Sequence, residues 1–176
     1  RRGDPCRGTG CGGGAQAGPQ ADHEGGHLRG LGGLTLTGTA DRLRTRGHPA
    51  AIAAVDRAIT SGRPPHALLI VGPRGSGKDT LASDLAAGLL CITADPAARP
   101  CRACAACRKV EHGNHPDLHR IAPEGAGEQI RLAQVTSLVS ELALLPMEGR
   151  RRVAIVNAAH RMNPDAQNAL LKTLEE

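Results

Sequence analysis

The chain contains no Phe, Tyr or Trp. Its core must therefore be built from aliphatic side chains, and recognition of single-stranded nucleic acid by stacking bases on aromatic rings is excluded within these residues. Apolar runs of membrane-spanning length are also absent, and the N-terminus lacks the apolar segment of a secretory signal. We therefore expect a cytoplasmic protein with no membrane partner.

Glycine and proline are abundant, with 23 and 12 residues, and many of them lie in the first forty positions. Residues 1–40 show no hydrophobic periodicity and are predicted to form a disordered Gly/Arg-rich tail. Cys6 and Cys11 lie there without further ligands nearby, which predicts free thiols. The globular part is predicted over residues 41–176, and both ends of the sequence are expected to be cut, since it begins at Arg1 and stops at Glu176 in the middle of a helical pattern.

The net charge is +5, and Arg supplies most of the basic residues. This balance favours a partner that carries phosphate groups, although a coding bias towards Arg explains it equally well. The Arg residues are spread along the chain, and Arg150-Arg151-Arg152 is the one tight run. Charge alone therefore does not distinguish a nucleotide from a nucleic acid.

Helical and short apolar patterns alternate from about residue 51 onwards, which predicts an α/β domain with a parallel sheet. Helices are predicted at 51–59, after residue 80, at 132–145 and after Asn163, which is a suitable N-cap followed by Pro164. The helix at 132–145 is expected to stop at Pro146. Buried strands are predicted at 66–71, 118–121 and 152–156.

A glycine-rich loop follows the first predicted strand. Val71–Thr80 reads VGPRGSGKDT, in which Gly72, Gly77 and Lys78 match the phosphate-binding pattern G-x-x-x-x-G-K. Asp79 stands where a Ser or Thr would ligate Mg²⁺, so a role for Mg²⁺ is doubtful. The strand–loop–helix context favours a site for ATP or ADP over a glycine-rich turn without a ligand. The predicted nucleotide-binding residues are Gly72, Pro73, Arg74, Gly75, Ser76, Gly77, Lys78, Asp79 and Thr80.

The strand that should carry acidic residues lacks them. Such strands end in Asp and Glu, which support the metal and activate water, but Val153–Val156 is followed by Asn157 and Ala158. His160 could be proposed as a substitute base, but an ordinary surface histidine is the simpler interpretation. We therefore predict no catalytic residue, and a loop that binds nucleotide without hydrolysing it.

Cys101, Cys104 and Cys107 form a C-x₂-C-x₂-C series, preceded by Cys91. Four thiolates suit a structural zinc ion, and the module spans about residues 91–115. An iron–sulfur cluster is the competing interpretation, although that motif expects a further Cys downstream. His112 and His115 are alternative ligands.

The segments HPDLHRIAPEG, RRVAIVNAAHRM and NPDAQNALLKTLEE, in this order after the loop and the cysteines, resemble the N-terminal AAA+ domain of bacterial DNA polymerase III clamp-loader subunits. The resemblance covers about residues 45–176. It implies a P-loop NTPase fold of the AAA+ type with a zinc-binding insertion, truncated at its C-terminal side. It also implies that residues 72–78 bind the phosphates of a nucleotide. The zinc ligands that it implies are Cys91, Cys101, Cys104 and Cys107.

The resemblance further implies a role in DNA replication. The family works in a hetero-oligomer that loads the sliding clamp onto primed DNA within the polymerase (nucleotidyltransferase) holoenzyme. Its gamma/tau members keep the acidic pair, and its delta-prime members commonly lose it, so Asp79, Asn157 and Ala158 favour a delta-prime-like subunit. An active gamma/tau-like ATPase and a zinc-dependent nucleic-acid-binding protein are the alternatives. In the family's sheet, a strand from beyond residue 176 separates the loop strand from 153–156.

Overall fold

The structure, a computed structural model, describes residues 42–125 and 127–175. The predicted tail at 1–40, with Cys6 and Cys11, lies outside these residues. Two short 3-10 helices, Pro96–Ala98 and Ala159–Arg161, accompany the main elements. The main elements, in chain order, are α1 (Pro49–Thr60), α2 (Lys78–Leu90), α3 (Ala105–Glu111), β1 (Leu118–Ile121), α4 (Leu132–Leu142), β2 (Val153–Val156) and α5 (Pro164–Glu175).

The two strands pair in parallel, which confirms the predicted sheet type for this part of the domain. Leu118 lies opposite Val153 and Ile121 opposite Val156. The pairing extends past both strand ends, because Val153 N–H donates to Asp117 O and Asn157 N–H donates to Ile121 O, each at 2.9 Å. α4 connects the strands and forms the helix of a β–α–β unit.

The strand predicted at 66–71 is wrong for this structure. The segment forms no strand, and Leu69 and Val71 are each 82% exposed. An apolar run becomes a buried strand only when a neighbouring strand takes its backbone hydrogen bonds. In the described chain, β1 and β2 pair with each other and no ladder reaches this segment.

Three apolar clusters hold the helices and the sheet together. One joins α2 and α3 to the sheet, one packs α1 on α2, and one packs α4 on α5. The contact between α1 and α2 needs glycine at 88, because a Cβ there would lie 2.3 Å from Ile59 Cδ1. The core contains no aromatic side chains, and the helices instead pack closely through small residues such as Gly88.

The later helices confirm one predicted helix end and correct another. Asn163 Oδ1 accepts the Ala166 N–H at 3.0 Å, which confirms the predicted N-cap, and α5 begins at Pro164. α4 ends at Leu142, before the predicted stop at Pro146, and Leu144 and Leu145 are exposed. The apolar spacing at 144–145 therefore does not mark a buried helical face.

Candidate functional site

The glycine loop lies directly before α2 and presents the N-terminus of that helix. Gly75 and Gly77 have φ values of 78° and 80°, in the left-handed region that favours glycine. A Cβ at Gly72 would lie 2.9 Å from Ser76 Oγ, so this glycine allows the loop to close on itself. The three glycines of the motif therefore serve the tight backbone that the sequence predicts.

Lys78 folds back over the loop. Its Nζ donates to the carbonyl oxygens of Gly72 at 2.8 Å and Pro73 at 2.5 Å, and lies 3.5 Å from Ser76 Oγ. The ammonium group thus lies across the mouth of the loop, on the chain's own oxygens. The same group is placed where it could meet the oxygens of a bound phosphate.

Asp79 faces the sheet. Its carboxylate forms an ion pair with Arg120 of β1, with 3.1 Å between Oδ1 and Nη1. The Asp79 side chain is 62% exposed, and Thr80 is exposed beside it. The residue at the position of the magnesium-binding hydroxyl is therefore engaged by a cation that the protein itself supplies.

The end of β2 carries an amide and a methyl group. Asn157 follows the strand, and Ala158 adopts the left-handed conformation with φ of 52°. His160 lies exposed in the short 3-10 helix that follows. The side chains of Asn157 and Ala158 cannot act as proton acceptors for water. Within residues 42–125 and 127–175, no side chain hydrogen-bonds the His160 ring to orient it as a base.

Arg120 was not predicted from the sequence as part of this region. It lies in the middle of a short strand whose other residues are more deeply buried, and its burial pattern marks it as the outward-facing position. The charged residue within the strand sequence LHRI was the one sequence signal that could have pointed to it. Its partner could not be identified because Asp79 lies 41 residues earlier in the chain.

The four cysteines of the predicted metal site converge. Cys91 caps the end of α2, Cys104 caps the start of α3, and the four sulfur atoms lie within 4.8 Å of one another. Cys91 Sγ lies 3.6 Å from Cys101 Sγ and 3.9 Å from Cys104 Sγ. Tetrahedral zinc–thiolate bonds of about 2.3 Å would place sulfur atoms roughly 3.8 Å apart. The four cysteines are therefore close enough together to hold a metal ion.

Local hydrogen bonds distinguish the sulfur atoms. A hydrogen bond from the Thr93 side chain, aided by backbone N–H groups, lowers the pKa of Cys101 to about 6. Burial raises the pKa of Cys107. The N–H groups of Cys104 and Cys107 donate to Cys101 Sγ and Cys104 Sγ, each at 3.4 Å. These donors stabilise thiolates, the form that binds metal.

The alternative histidine ligands lie elsewhere. Among the described residues, the group that could hold a metal ion consists of cysteines alone. His112 caps the end of α3 and is exposed, whereas His115 is buried and its Nδ1 accepts the Asp117 N–H at 3.1 Å. Burial lowers the pKa of His115, so it is held neutral. Neither histidine joins the cysteine cluster.

A buried carboxylate anchors the cysteine module to α2. Asp84 is 1% exposed and accepts hydrogen bonds from Thr45 N at 2.8 Å and Thr45 Oγ1 at 2.7 Å. Arg102, from between the cysteines, forms an ion pair with the other oxygen of Asp84 and donates from Nε to Arg42 O at 3.0 Å. The module, α2 and the segment before α1 thus meet at one carboxylate.

A second buried carboxylate shapes the turn before β2. Asp117 accepts the N–H groups of Met147, Glu148 and Gly149 at 2.7, 2.9 and 2.7 Å. Burial opposes its ionisation, but these three donors outweigh burial, and the pKa of Asp117 lies below its ordinary value. This carboxylate therefore positions the chain that enters β2 and, through it, Asn157.

Comparison with known proteins identifies the family. The profile described as DNA polymerase III, delta subunit matches residues 47–176, well over half of the chain. The chain belongs to this DNA polymerase III family. The match confirms the resemblance drawn from the residues, and it includes the phosphate loop, the four cysteines, and both strands.

Individual relatives carry the subunit names delta', gamma and tau. The chain is 38% identical over 118 residues to DNA polymerase III subunit delta' of Bacillus subtilis (67% of this chain, 35% of the relative). It is 44% identical over 111 residues to the delta' subunit of Pseudomonas aeruginosa (63% and 34%). It is 36% identical over 125 residues to subunit tau of Escherichia coli (71% and 19%). The chain thus spans about a third or less of these relatives.

No helix in residues 42–125 and 127–175 combines the length and apolar character needed to cross a bilayer.

Proposed function

We propose that this chain is the phosphate-loop part of a delta-prime-like clamp-loader subunit of DNA polymerase III. In this role it helps load the sliding clamp onto primed DNA during replication. Its partners are the other subunits of a hetero-oligomeric loader and, through the complex, the clamp and the DNA. The subunit binds ATP or ADP at residues 72–80 and contributes structure to the complex without hydrolysing the nucleotide.

The observation that carries this proposal is the state of the groups around the loop. The glycines and Lys78 form a phosphate cradle, whereas Asp79 is paired with Arg120, and Asn157 and Ala158 follow β2. Hydrolysis needs a group that positions water and a charge cluster that stabilises the leaving phosphate. The cradle is thus suited to binding, and the surrounding residues are not suited to turnover.

The four cysteines are proposed to hold a structural zinc ion. The set is all sulfur, its geometry suits a tetrahedron, and Cys91 and Cys107 are buried, so no open position for water or substrate is apparent in it. When bound, zinc supplies a cross-link between the end of α2 and α3. The residues of the chain supply the anchoring, through the Asp84–Arg102 contact.

Steady-state ATP hydrolysis by the full chain, alone and within the assembled loader, tests the proposal. We expect no turnover above that of a Lys78→Ala variant, because the hydrolytic groups have been replaced. A clear turnover that Lys78→Ala abolishes would contradict it. Restoring Asp79→Thr, Asn157→Asp and Ala158→Glu together provides a positive control for the assay.

A gamma/tau-like ATPase is the second candidate. The identity of 36% to a tau subunit, over a slightly longer stretch than the matches to delta', favours it. In that case Asp79 and Asn157 must be compatible with hydrolysis. The same measurement separates the two, since only this candidate predicts turnover that depends on Lys78.

A further inference from the structure

An ion pair joins the first turn of α2 to β1 directly beside the phosphate loop. Arg120 Nη1 lies 3.1 Å from Asp79 Oδ1, and its Nη2 donates to Ser83 Oγ at 2.8 Å. The Ser83 hydroxyl donates in turn to the Asp79 carbonyl oxygen at 2.6 Å. The guanidinium is therefore held on α2 by two groups, one helical turn apart.

The position of Asp79 creates an electrostatic conflict for the proposed site. The residue follows Lys78 directly, so its negative charge lies beside the place where the phosphates of a nucleotide would bind. Repulsion between such charges is substantial at low ionic strength and falls as salt is added. Arg120 carries a positive charge, and its guanidinium group lies in contact with this carboxylate.

Loops with a hydroxyl at this position use Mg²⁺ to offset the charge of the phosphates. Here that hydroxyl is replaced, and Asn157 follows β2 where an acidic residue would support the metal. We propose that Arg120 is a positioning residue that neutralises Asp79 and keeps its carboxylate turned towards β1, so that the loop accepts a nucleoside polyphosphate without a divalent cation. The proposal rests on the phosphate site proposed above and specifies the ionic form of its ligand.

The affinity of a fluorescent ADP for the full chain tests this proposal, measured at low ionic strength with excess Mg²⁺ and, separately, with EDTA. The dissociation constant is expected to agree within about twofold between the two conditions. Arg120→Gln is expected to weaken binding about tenfold, because it leaves Asp79 unneutralised. Arg120→Lys keeps the charge and most of the affinity.

The double variant Asp79→Asn with Arg120→Gln separates charge from structure. Neither charge remains in it, so the affinity is expected to return to that of the unchanged chain. A role confined to holding α2 against β1 predicts instead that the double variant binds as weakly as Arg120→Gln. Thermal unfolding of each variant, followed without nucleotide, establishes that the loss of affinity is not a loss of fold.

Two further results would overturn the proposal and are distinguishable from each other. If the unchanged chain binds the probe only with Mg²⁺, or Arg120→Gln binds it as tightly as the unchanged chain, the role of Arg120 is wrong while the phosphate site stands. If the unchanged chain binds no probe in either condition, the phosphate site itself is wrong. Loss of binding in Lys78→Ala shows that the probe occupies the loop.

Discussion

The cysteine module and the phosphate loop lie at opposite ends of the same helix, α2, and differ in how they are held. Cys91 and Cys107 are buried, and Arg102 of the module reaches the buried carboxylate of Asp84. Residues 71–75 of the loop before α2 are exposed, and Lys78 contacts loop oxygens. One end of α2 is therefore anchored in the fold, whereas the other end lies open to solvent.

Replacing a cysteine of the cluster is expected to have the largest effect. Cys107→Ser removes one of four thiolates from a buried position, and we expect loss of bound zinc and a decrease of about 4 kcal/mol or more in the free energy of unfolding. Metal content by mass spectrometry and denaturant unfolding of the full chain measure the two effects.

Cys6→Ser is the matched control, since Cys6 belongs to the predicted tail and is expected to be a free thiol. It should leave both zinc content and stability unchanged. Full stability of Cys107→Ser would contradict the structural role of the metal and remove the contrast between the two ends of α2.

Removing the anchor of the module should have the next largest effect. Arg102→Ala leaves Asp84 buried with only the Thr45 donors, and breaking such a pair is expected to cost about 3 kcal/mol. Arg108 lies exposed in the same module, so Arg108→Ala is the control and should stay within about 0.5 kcal/mol. Equal unfolding curves for the two variants would show that the Arg102–Asp84 contact does not anchor the module.

Local signals account for the parts of the fold that the sequence predicts well. The helical spacing around Val55, the N-cap Asn163 and the cysteine spacing each depend on residues that lie near one another in the chain, and each is found in the structure. The strands predicted at 118–121 and 152–156 are found at Leu118–Ile121 and Val153–Val156. The two strands pair with each other in the sheet.

The remaining features depend on contacts between distant residues. Arg120 meets Asp79 across 41 positions, and Thr45 meets Asp84 across 39, and no local pattern marks either pair. The failed strand at 66–71 has the same cause, because a strand needs a partner that its own residues do not specify. In the candidate site, the loop was therefore predictable and the residue that faces it from β1 was not.

Asp117 predicts a pH dependence that belongs to the well-anchored part of the domain. Its pKa in the folded chain lies below the unfolded value of 3.8, so its contribution to stability is complete above that value and is lost as the pH falls through the folded pKa. Asp117→Asn should lower the free energy of unfolding by about 2 kcal/mol at neutral pH, since three backbone donors lose a charged acceptor.

The same variant should also flatten the dependence of stability on pH below about 4. Glu124 is exposed and forms no ion pair within the described residues, so Glu124→Gln is the control and should change neither quantity measurably. Unfolding titrations between neutral and acidic pH distinguish the two. An unchanged acid limb in Asp117→Asn would show that the turn before β2 is held by other contacts.

Lys78→Ala is expected to have the smallest effect on stability and a complete effect on binding. The lysine is hydrogen-bonded to the oxygens of an exposed loop, and water can replace it there, so the free energy of unfolding should change by no more than about 0.5 kcal/mol. Nucleotide binding should be lost, because no other ammonium group lies within the loop 72–77. Arg63→Ala removes an exposed cation outside the loop, so it is the control and should preserve both. A large loss of stability in Lys78→Ala would mean that the lysine holds the loop closed as a structural element, and the two ends of α2 would then be alike.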